Sequence, residues 1–310
     1  MRNPLNQIQR FPMITAVVLA TSISWGASLA VAADQKIFPT PDAAVAALVA
    51  AVKAHSTTQV VAILGPELEA YDETRDKTQD AVDRELFLAA SRTLKLEKQP
   101  DNPNTMIVYL GDSEWPFPAP LVKTPTGWKF DGKAAIEEIQ DRQIGRNELE
   151  TIELCKAYVD VQLDYFSSDR TGDGYLEFAQ KINSTPGKFD GLYWSNANGE
   201  DVSPLGPYAA QAAGAEPIEN RAPLSGYLFK ILTFQGADAA GGEHSYLVNS
   251  RMISGFALVA WPAEYGVTGK ATFIVNQLGI VYQKDLGADT AQIALGMKQF
   301  NPDRSWKTVE

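Results

Sequence analysis

The segment NELETIELCKAYVDVQLDYFSS, residues 147–168, decides how the second half of the chain folds. Its apolar residues recur every three or four positions, which is the spacing of one face of an α-helix. Five side chains share that face: Ile152, Cys155, Val159, Leu163 and Phe166. Only a narrow acidic stripe opposes them, so the sequence predicts a helix sunk in a core and covered by a sheet.

Another helical pattern lies directly before this one, over residues 132–144. Gly145 separates the two patterns. Asn147, with Glu150 three positions later, has the spacing of a capping box, which marks the start of a helix. The sequence therefore predicts a helical connector that breaks near Gly145 and a second helix that begins at Asn147.

Four strand-like runs follow the central helix: residues 227–234, 253–261, 271–276 and 280–284. The letters NQLG at residues 276–279 predict a hairpin turn between the last two runs. Residues 286–300 are predicted to form a closing helix. A run rich in Gly, Pro, Asn and Ala, residues 181–225, is too long for a plain connection and is predicted to wrap the sheet.

The first half of the chain predicts a smaller domain over residues 34–131. Thr40 followed by Pro41 is a typical helix start, and helical runs then lead into four short strand-like runs separated by turns. Helices followed by an antiparallel meander belong to the α+β class. This order resembles the cone-shaped nuclear-transport-factor-like fold. The connector and the second α+β domain are predicted over residues 132–310.

Residues 1–33 have the three parts of a secretory signal peptide. Arg2 and Arg10 form a basic start, an uncharged apolar run follows, and small residues end at Ala33. Cleavage before Asp34 predicts a periplasmic or secreted protein with no stable membrane anchor. The alternative is an uncleaved anchor, because the apolar run is long enough to span a bilayer.

The composition excludes several classes of function. The net charge is −11, and removal of the predicted signal peptide takes away two arginines and no acid, which makes it −13. An acidic surface disfavours contact with nucleic acid. The single cysteine, Cys155, excludes an internal disulfide framework. It lies in an apolar helical pattern, so we expect it to be buried and inert.

The segment 169–177, DRTGDGYLE, follows part of the calcium-loop rule. Oxygen-bearing or acidic side chains stand at four of the expected positions: Asp169, Thr171, Asp173 and Glu177. Gly174 permits the sharp turn, but Gln180 stands where the rule requires a bidentate glutamate. The sequence predicts weak calcium binding here and no other cofactor. The alternative is a polar turn, in which Asp and Gly are common.

Catalytic signatures are missing from the sequence. His55 and His244 lie in different segments, and neither belongs to a recognisable serine or cysteine motif. Two carboxylates can hydrolyse glycosides without leaving a sequence pattern, which keeps an envelope hydrolase open as an alternative. Among the aromatic clusters, Tyr193 and Trp194 lie in the loop-rich run and are the best candidates for an exposed contact with a ligand or partner.

Four blocks of sequence carry a family resemblance. They are GRNELETIELCKAYVDVQLDYFSSDRTGDGYLEFAQ from residue 145, GKFDGLYW from 187, GFALVAWPAEYG from 255 and TFIVNQLGIVYQKDLG from 272. They resemble a secreted bacterial family, domain-of-unknown-function family 2950. The resemblance covers nearly all of the chain after residue 33. It implies secretion and a shared fold, and it implies no activity.

A second resemblance concerns architecture. One long helix, an irregular loop and a sheet ending in GKATFIVNQLGIVYQKD are similar to the globular half of type IV pilins and pseudopilins. A pilin has its processing site directly before an apolar helix, whereas this helix lies in mid-chain with a polar stripe. Pilus assembly is therefore not expected.

Together these patterns predict a non-catalytic, periplasmic or secreted protein that binds a partner or associates with the cell envelope. The partner is an envelope protein or a glycan, not a nucleic acid. The sequence does not determine the oligomeric state. An envelope hydrolase that uses carboxylates alone is the alternative.

Overall fold

The structure is a computed structural model that describes residues 35–68, 77–195, 203–206 and 222–309. The predicted signal peptide, residues 1–33, lies outside the described residues. Within the described ranges, no helix combines the length and the apolar character needed to cross a bilayer. The chain is α+β and divides into two compact units between Asp141 and Arg142. This division lies further along the chain than the boundary predicted after residue 131.

The first unit has helices followed by an antiparallel sheet. Its elements are α1 (Pro41–Lys53), α2 (Thr57–Leu64), α3 (Lys77–Ala90), β1 (Leu94–Gln99), β2 (Asn102–Leu110), β3 (Trp115–Pro116), β4 (Leu121–Thr124) and β5 (Gly127–Phe130). The strand order is β1-β2-β4-β5, and β3 pairs with β2. The antiparallel pairings of β1 with β2, β2 with β4 and β4 with β5 confirm the predicted meander.

Local chemistry explains how the first unit begins. The Ala43 backbone N–H donates to Thr40 Oγ1 at 3.2 Å, which confirms the predicted helix cap. Helix α1 then buries Val45, Leu48 and Val52 in a core that also contains Phe117 and other aromatic rings. Each of these buried side chains stabilises the fold by about 1.5–3 kcal/mol, and together they hold α1 in place.

Helix α4, Gly132–Phe166, is one continuous helix of 35 residues, so the predicted break near Gly145 is wrong. A Cβ at Gly145 would meet nothing within 4 Å, and a helical glycine costs only about 1 kcal/mol relative to alanine. The predicted capping box is also wrong. Asn147 lies inside the helix, where its Oδ1 accepts from Gln143 Nε2 and its Nδ2 donates to the Thr268 carbonyl, both at 2.8 Å.

Changing Gly145 to alanine is expected to raise the free energy of unfolding by about 0.5–1 kcal/mol. The new methyl group meets no neighbour, and it restricts the unfolded chain. Chemical denaturation of both proteins measures the difference. A lower midpoint for Gly145→Ala would contradict the continuous helix.

The second unit contains another five-stranded sheet. Its remaining elements are β6 (Tyr227–Leu232), β7 (Phe234–Gln235), β8 (His244–Ser245), β9 (Leu247–Val248), β10 (Arg251–Met252), β11 (Ala257–Pro262), β12 (Ala271–Asn276), β13 (Tyr282–Asp285), α5 (Thr290–Gly296), β14 (Gln299–Phe300) and β15 (Lys307–Thr308). The main sheet is antiparallel, in the order β15-β13-β12-β11-β6. The predicted hairpin between β12 and β13 is confirmed.

Helix α4 packs on one side of this sheet. Tyr158 Oη donates to the Ala257 carbonyl at 3.3 Å, and the Tyr158 ring meets Phe256 edge to face. Ile152, Cys155 and Val159 are buried, as predicted. The sequence therefore identified the central part of the buried face correctly.

The predicted buried face is wrong at Leu163, which is 50% exposed. Gln162 and Tyr165 are buried in its place. The Gln162 amide explains the difference, because it exchanges two hydrogen bonds of 2.9 Å with the Ala179 backbone. A buried amide whose N–H and oxygen are both hydrogen-bonded is stable in a core. Hydrophobic periodicity does not predict its burial, because glutamine is a polar residue.

Helix α5 lies on the opposite side of the sheet. Side chains alternate along β6, so Phe229 faces α4 and Lys230 faces α5. Lys230 Nζ donates to the carbonyls of Ala294 and Leu295 at 2.9 and 2.6 Å, which caps the helix end. The closing helix is therefore shorter than predicted. Its predicted last residues form β14, which pairs with β7.

Candidate functional site

An apolar pocket of about 70 Å³ opens in the second unit beside α4. Helix α4 and strands β6 and β11 form part of its wall, and the segments before β6 complete it. Ten of the described residues line the pocket: Leu154, Ala157, Tyr158, Val161, Ile182, Leu192, Leu205, Leu224, Phe229 and Leu258. The sequence does not predict this pocket, because its lining comes from separate segments, each of which has the pattern of an ordinary core.

Among the described lining residues, only Tyr158 has a polar side chain, and its hydroxyl is already engaged. Its Oη donates to the Ala257 carbonyl and accepts from Gln162 Nε2 at 2.9 Å. Burial raises the pKa of this phenol well above its ordinary value, so it stays protonated. The described lining residues thus offer no charged side chain and no unengaged polar side chain, which suits a hydrocarbon ligand.

Backbone hydrogen bonds hold the loop side of the pocket. The N–H of Leu192 donates to the Lys181 carbonyl at 3.1 Å, and that of Tyr193 donates to the Ile182 carbonyl at 2.8 Å. Leu205 is tied in turn by its N–H to the Leu192 carbonyl at 3.0 Å. The described wall is therefore formed before any ligand arrives.

Asp190 anchors the turn that precedes this wall. Its carboxylate accepts from Lys181 Nζ, the Thr185 N–H and the Thr185 hydroxyl, at 2.7, 2.7 and 2.9 Å. Partial burial by itself would raise the pKa of Asp190, but these hydrogen bonds have the larger combined effect. The resulting pKa is about 2, below the ordinary value. The carboxylate is ionised in the folded protein and stabilises the turn in that form.

The substitution Asp190→Asn is expected to destabilise the second unit by about 1–2 kcal/mol near neutral pH, allowing for partial solvent screening. Because the pKa of Asp190 is lower in the folded protein, its carboxylate stabilises the fold at pH values above the unfolded pKa of about 3.9. This stabilisation is lost as the pH falls towards 2. Urea denaturation of both proteins at about pH 7 and pH 2.5 measures the trend. An equal difference at both pH values would contradict the role of the ionised carboxylate.

The predicted calcium loop is folded as a closed turn. Asp169 accepts backbone N–H groups from Gly174 and Gly172 at 2.7 and 2.8 Å and the Thr171 hydroxyl at 3.4 Å. The Gly174 N–H lowers the pKa of Asp169 most. Gly174 has φ +88°, the left-handed conformation that the sharp turn requires.

Arg251, which the sequence analysis missed, brings two of the predicted metal residues together. Its Nη1 lies 2.7 Å from Asp173 Oδ2 and 3.9 Å from Glu177 Oε1. Its guanidinium also lies 4.4 Å from the centroid of the exposed Tyr175 ring. The hydrogen bond from Arg251 lowers the pKa of Asp173, whereas burial raises that of Glu177.

These contacts bear on the calcium hypothesis. Asp169 directs its oxygens at the loop's own amides, and an arginine neutralises Asp173. Over the part of the chain that the structure describes, no three or more His, Cys, Asp or Glu side chains are grouped so that they could hold a metal ion. Calcium binding at Asp169, Thr171, Asp173 and Glu177 stays a prediction, and Arg251 competes with it.

The predicted aromatic contact requires a correction. Trp194 is buried, with its ring 5.0 Å from that of Phe189 and the Arg170 guanidinium 5.6 Å from its centroid. The apolar area of an indole favours this burial even within a loop-rich run. Trp194 is therefore not an exposed contact in the folded protein. Tyr193 is partly exposed, and its role as a contact stays a prediction.

The candidate nucleophile is buried, and both candidate bases contact other groups. Cys155 is buried, and burial raises the pKa of its thiol to about 12, so the thiolate is not available. His55 Nδ1 lies 3.2 Å from Arg84 Nη1, and His244 Nδ1 lies 3.1 Å from the Gly242 carbonyl oxygen. These contacts bring neither imidazole to a serine or cysteine.

Comparison with known proteins assigns the family. A family model described as a protein of unknown function, DUF2950, matches residues 35–309. The match covers most of the sequence, so the chain belongs to the DUF2950 family, as the four sequence blocks predicted. No curated protein and no solved structure matches it. The pilin-like second domain is not confirmed, and the nuclear-transport-factor-like first domain stays a prediction.

Proposed function

We propose that this protein is a non-catalytic binding protein of the periplasm or the secreted fraction, and that its pocket receives an apolar group of an envelope partner. The lining of the pocket carries this proposal. Over the residues that the structure describes, it is apolar apart from Tyr158, whose hydroxyl has both a donor and an acceptor partner. Apolar concave sites that are already formed are typical of ligand binding.

The chemistry of the pocket favours binding over turnover. General acid–base catalysis requires a titratable group within hydrogen-bond reach of the substrate. Among the ten described lining residues, the Tyr158 phenol is the titratable group; burial keeps it protonated and its hydroxyl is engaged, and the nearby Cys155 is held as the neutral thiol. A glycan fits such a lining poorly, because its hydroxyls need hydrogen-bond partners. An envelope protein is therefore the favoured partner.

Nuclear magnetic resonance of the exported protein tests binding. We expect small apolar probes to shift the methyl signals of lining residues such as Leu154, Val161 and Leu258. The same protein, incubated with glycan, peptide and ester substrates, is expected to release no product. Unshifted lining methyls, or product release from any of these substrates, would overturn the proposal.

One observation favours the alternative, an envelope hydrolase. Asp173 Oδ2 and Glu177 Oε1 lie 2.7 and 3.9 Å from the same atom, Arg251 Nη1. These two oxygens are therefore closer together than roughly 9.5 Å, the upper limit for the carboxylate pair of an inverting glycosidase. Their environments also move the two pKa values in opposite directions. A low pKa beside a raised one is the pattern of a base and an acid.

A matched pair of variants tests the hydrolase. Glu177→Gln removes the carboxyl with the raised pKa, and Asp160→Asn makes the same kind of change at an exposed position of α4. Turnover that Glu177→Gln abolishes and Asp160→Asn leaves unchanged would establish the hydrolase. Turnover that survives Glu177→Gln would exclude this carboxylate from the chemistry.

A further inference from the structure

We infer that the pocket selects one aliphatic side chain of a partner protein, of about the size of leucine. This inference rests on the proposed binding function and specifies its ligand. The volume and polarity of the pocket carry it, together with the engaged hydroxyl of Tyr158.

The volume sets the size of the ligand. The pocket measures about 70 Å³, and a cavity of roughly 150 Å³ is one that accommodates benzene. The pocket therefore has about half the volume of such a cavity, which suits a group of about four carbons better than an aromatic ring. A long acyl chain would leave most of its length in water, where it gains little from the pocket.

The polarity of the lining determines which part of the ligand enters. Both hydrogen-bonding roles of the Tyr158 hydroxyl are taken by Ala257 and Gln162. A carboxylate placed beside this hydroxyl would lose its bound water without gaining a hydrogen-bond partner, so the pocket favours hydrocarbon there. The protein is also acidic overall, with a net charge of −11, which disfavours free short-chain acids.

A peptide is therefore the favoured source of the aliphatic group. An amide backbone keeps its polar atoms outside the pocket while the side chain enters. One buried side chain of this size binds weakly by itself, so a partner protein must add contacts around it. Two other occupants are outcomes of the test, namely a short-chain acid and another segment of this same chain.

The experiment is a methyl titration of the full exported chain with four probes. N-acetylleucinamide represents the proposed ligand, and N-acetylphenylalaninamide tests an aromatic side chain. The other two probes, 3-methylbutanoate and decanoate, test a short acid and a long acyl chain. The signals followed are the methyl groups of Leu154, Val161 and Leu258, which line the pocket.

Two variants control the titration. Ala157→Leu fills the pocket from α4, whereas Ala291→Leu makes the same substitution at an exposed position of helix α5. We expect N-acetylleucinamide to bind most tightly of the four probes, and Ala157→Leu to weaken it by about tenfold or more. Ala291→Leu is expected to leave binding unchanged. Equal binding by both variants would overturn the assignment to this pocket.

The pattern among probes separates the inference from the proposed function. Tighter binding of N-acetylphenylalaninamide or decanoate would overturn the leucine-sized ligand while leaving apolar binding intact. Tighter binding of 3-methylbutanoate would replace the partner protein with a short-chain acid. If no probe shifts the lining methyls, the pocket is closed to ligands, for example by the chain itself, and both proposals fail.

Discussion

Replacing Val159 with aspartate is expected to lower the free energy of unfolding of the second unit by about 3–5 kcal/mol. Val159 is 8% exposed and belongs to the core that α4 forms with the main sheet. The substitution places a carboxylate among apolar side chains, where it either stays charged without a partner or takes up a proton at a cost. Urea denaturation followed by circular dichroism measures the loss.

Leu163→Asp is the matched control, because it introduces the same group one turn later in the same helix. Leu163 is 50% exposed, so a carboxylate there remains in water and the expected change is below about 1 kcal/mol. The sequence pattern alone placed both residues on the buried face and would predict two damaging substitutions. Equal losses for the two variants would show that the structure is wrong about this face.

Changing Gly191 to alanine is the second substitution with a large expected effect, a loss of about 2–3 kcal/mol. A Cβ at this position would lie 2.7 Å from both the Asn183 carbonyl carbon and the Ser184 nitrogen. Those are backbone atoms, and the Ser184 N–H is itself bonded to the Tyr193 carbonyl at 2.8 Å. The main chain must therefore move, and Leu192 in the pocket wall moves with it.

Gly206→Ala provides the control for this variant. Gly206 follows Leu205, another residue of the pocket wall, and a Cβ there would meet no described residue within 4 Å. Its effect on stability is expected to stay within about 0.5 kcal/mol. Thermal melts of both variants measure the contrast. Similar melting temperatures would mean that the backbone does not approach Gly191 as closely as the structure indicates.

Local patterns in the sequence were enough for the α+β class, the family and most element positions. Thr40 with Pro41 started α1, and the NQLG turn separated β12 from β13, because caps and tight turns depend on neighbouring residues alone. The buried face of α4 at Ile152, Cys155 and Val159 followed from helical periodicity. Each of these features leaves a pattern within a few positions of the chain.

Tertiary contacts decided what the local patterns left open. Helix α4 continues through Gly145 because Asn147 binds Thr268 instead of capping a helix. Asp173 faces Arg251 across a long stretch of sequence. The pocket exists only where α4, the sheet and the loops around Leu192 meet, since its walls belong to separate segments. Composition and periodicity describe each segment by itself, whereas these features depend on which segments come together.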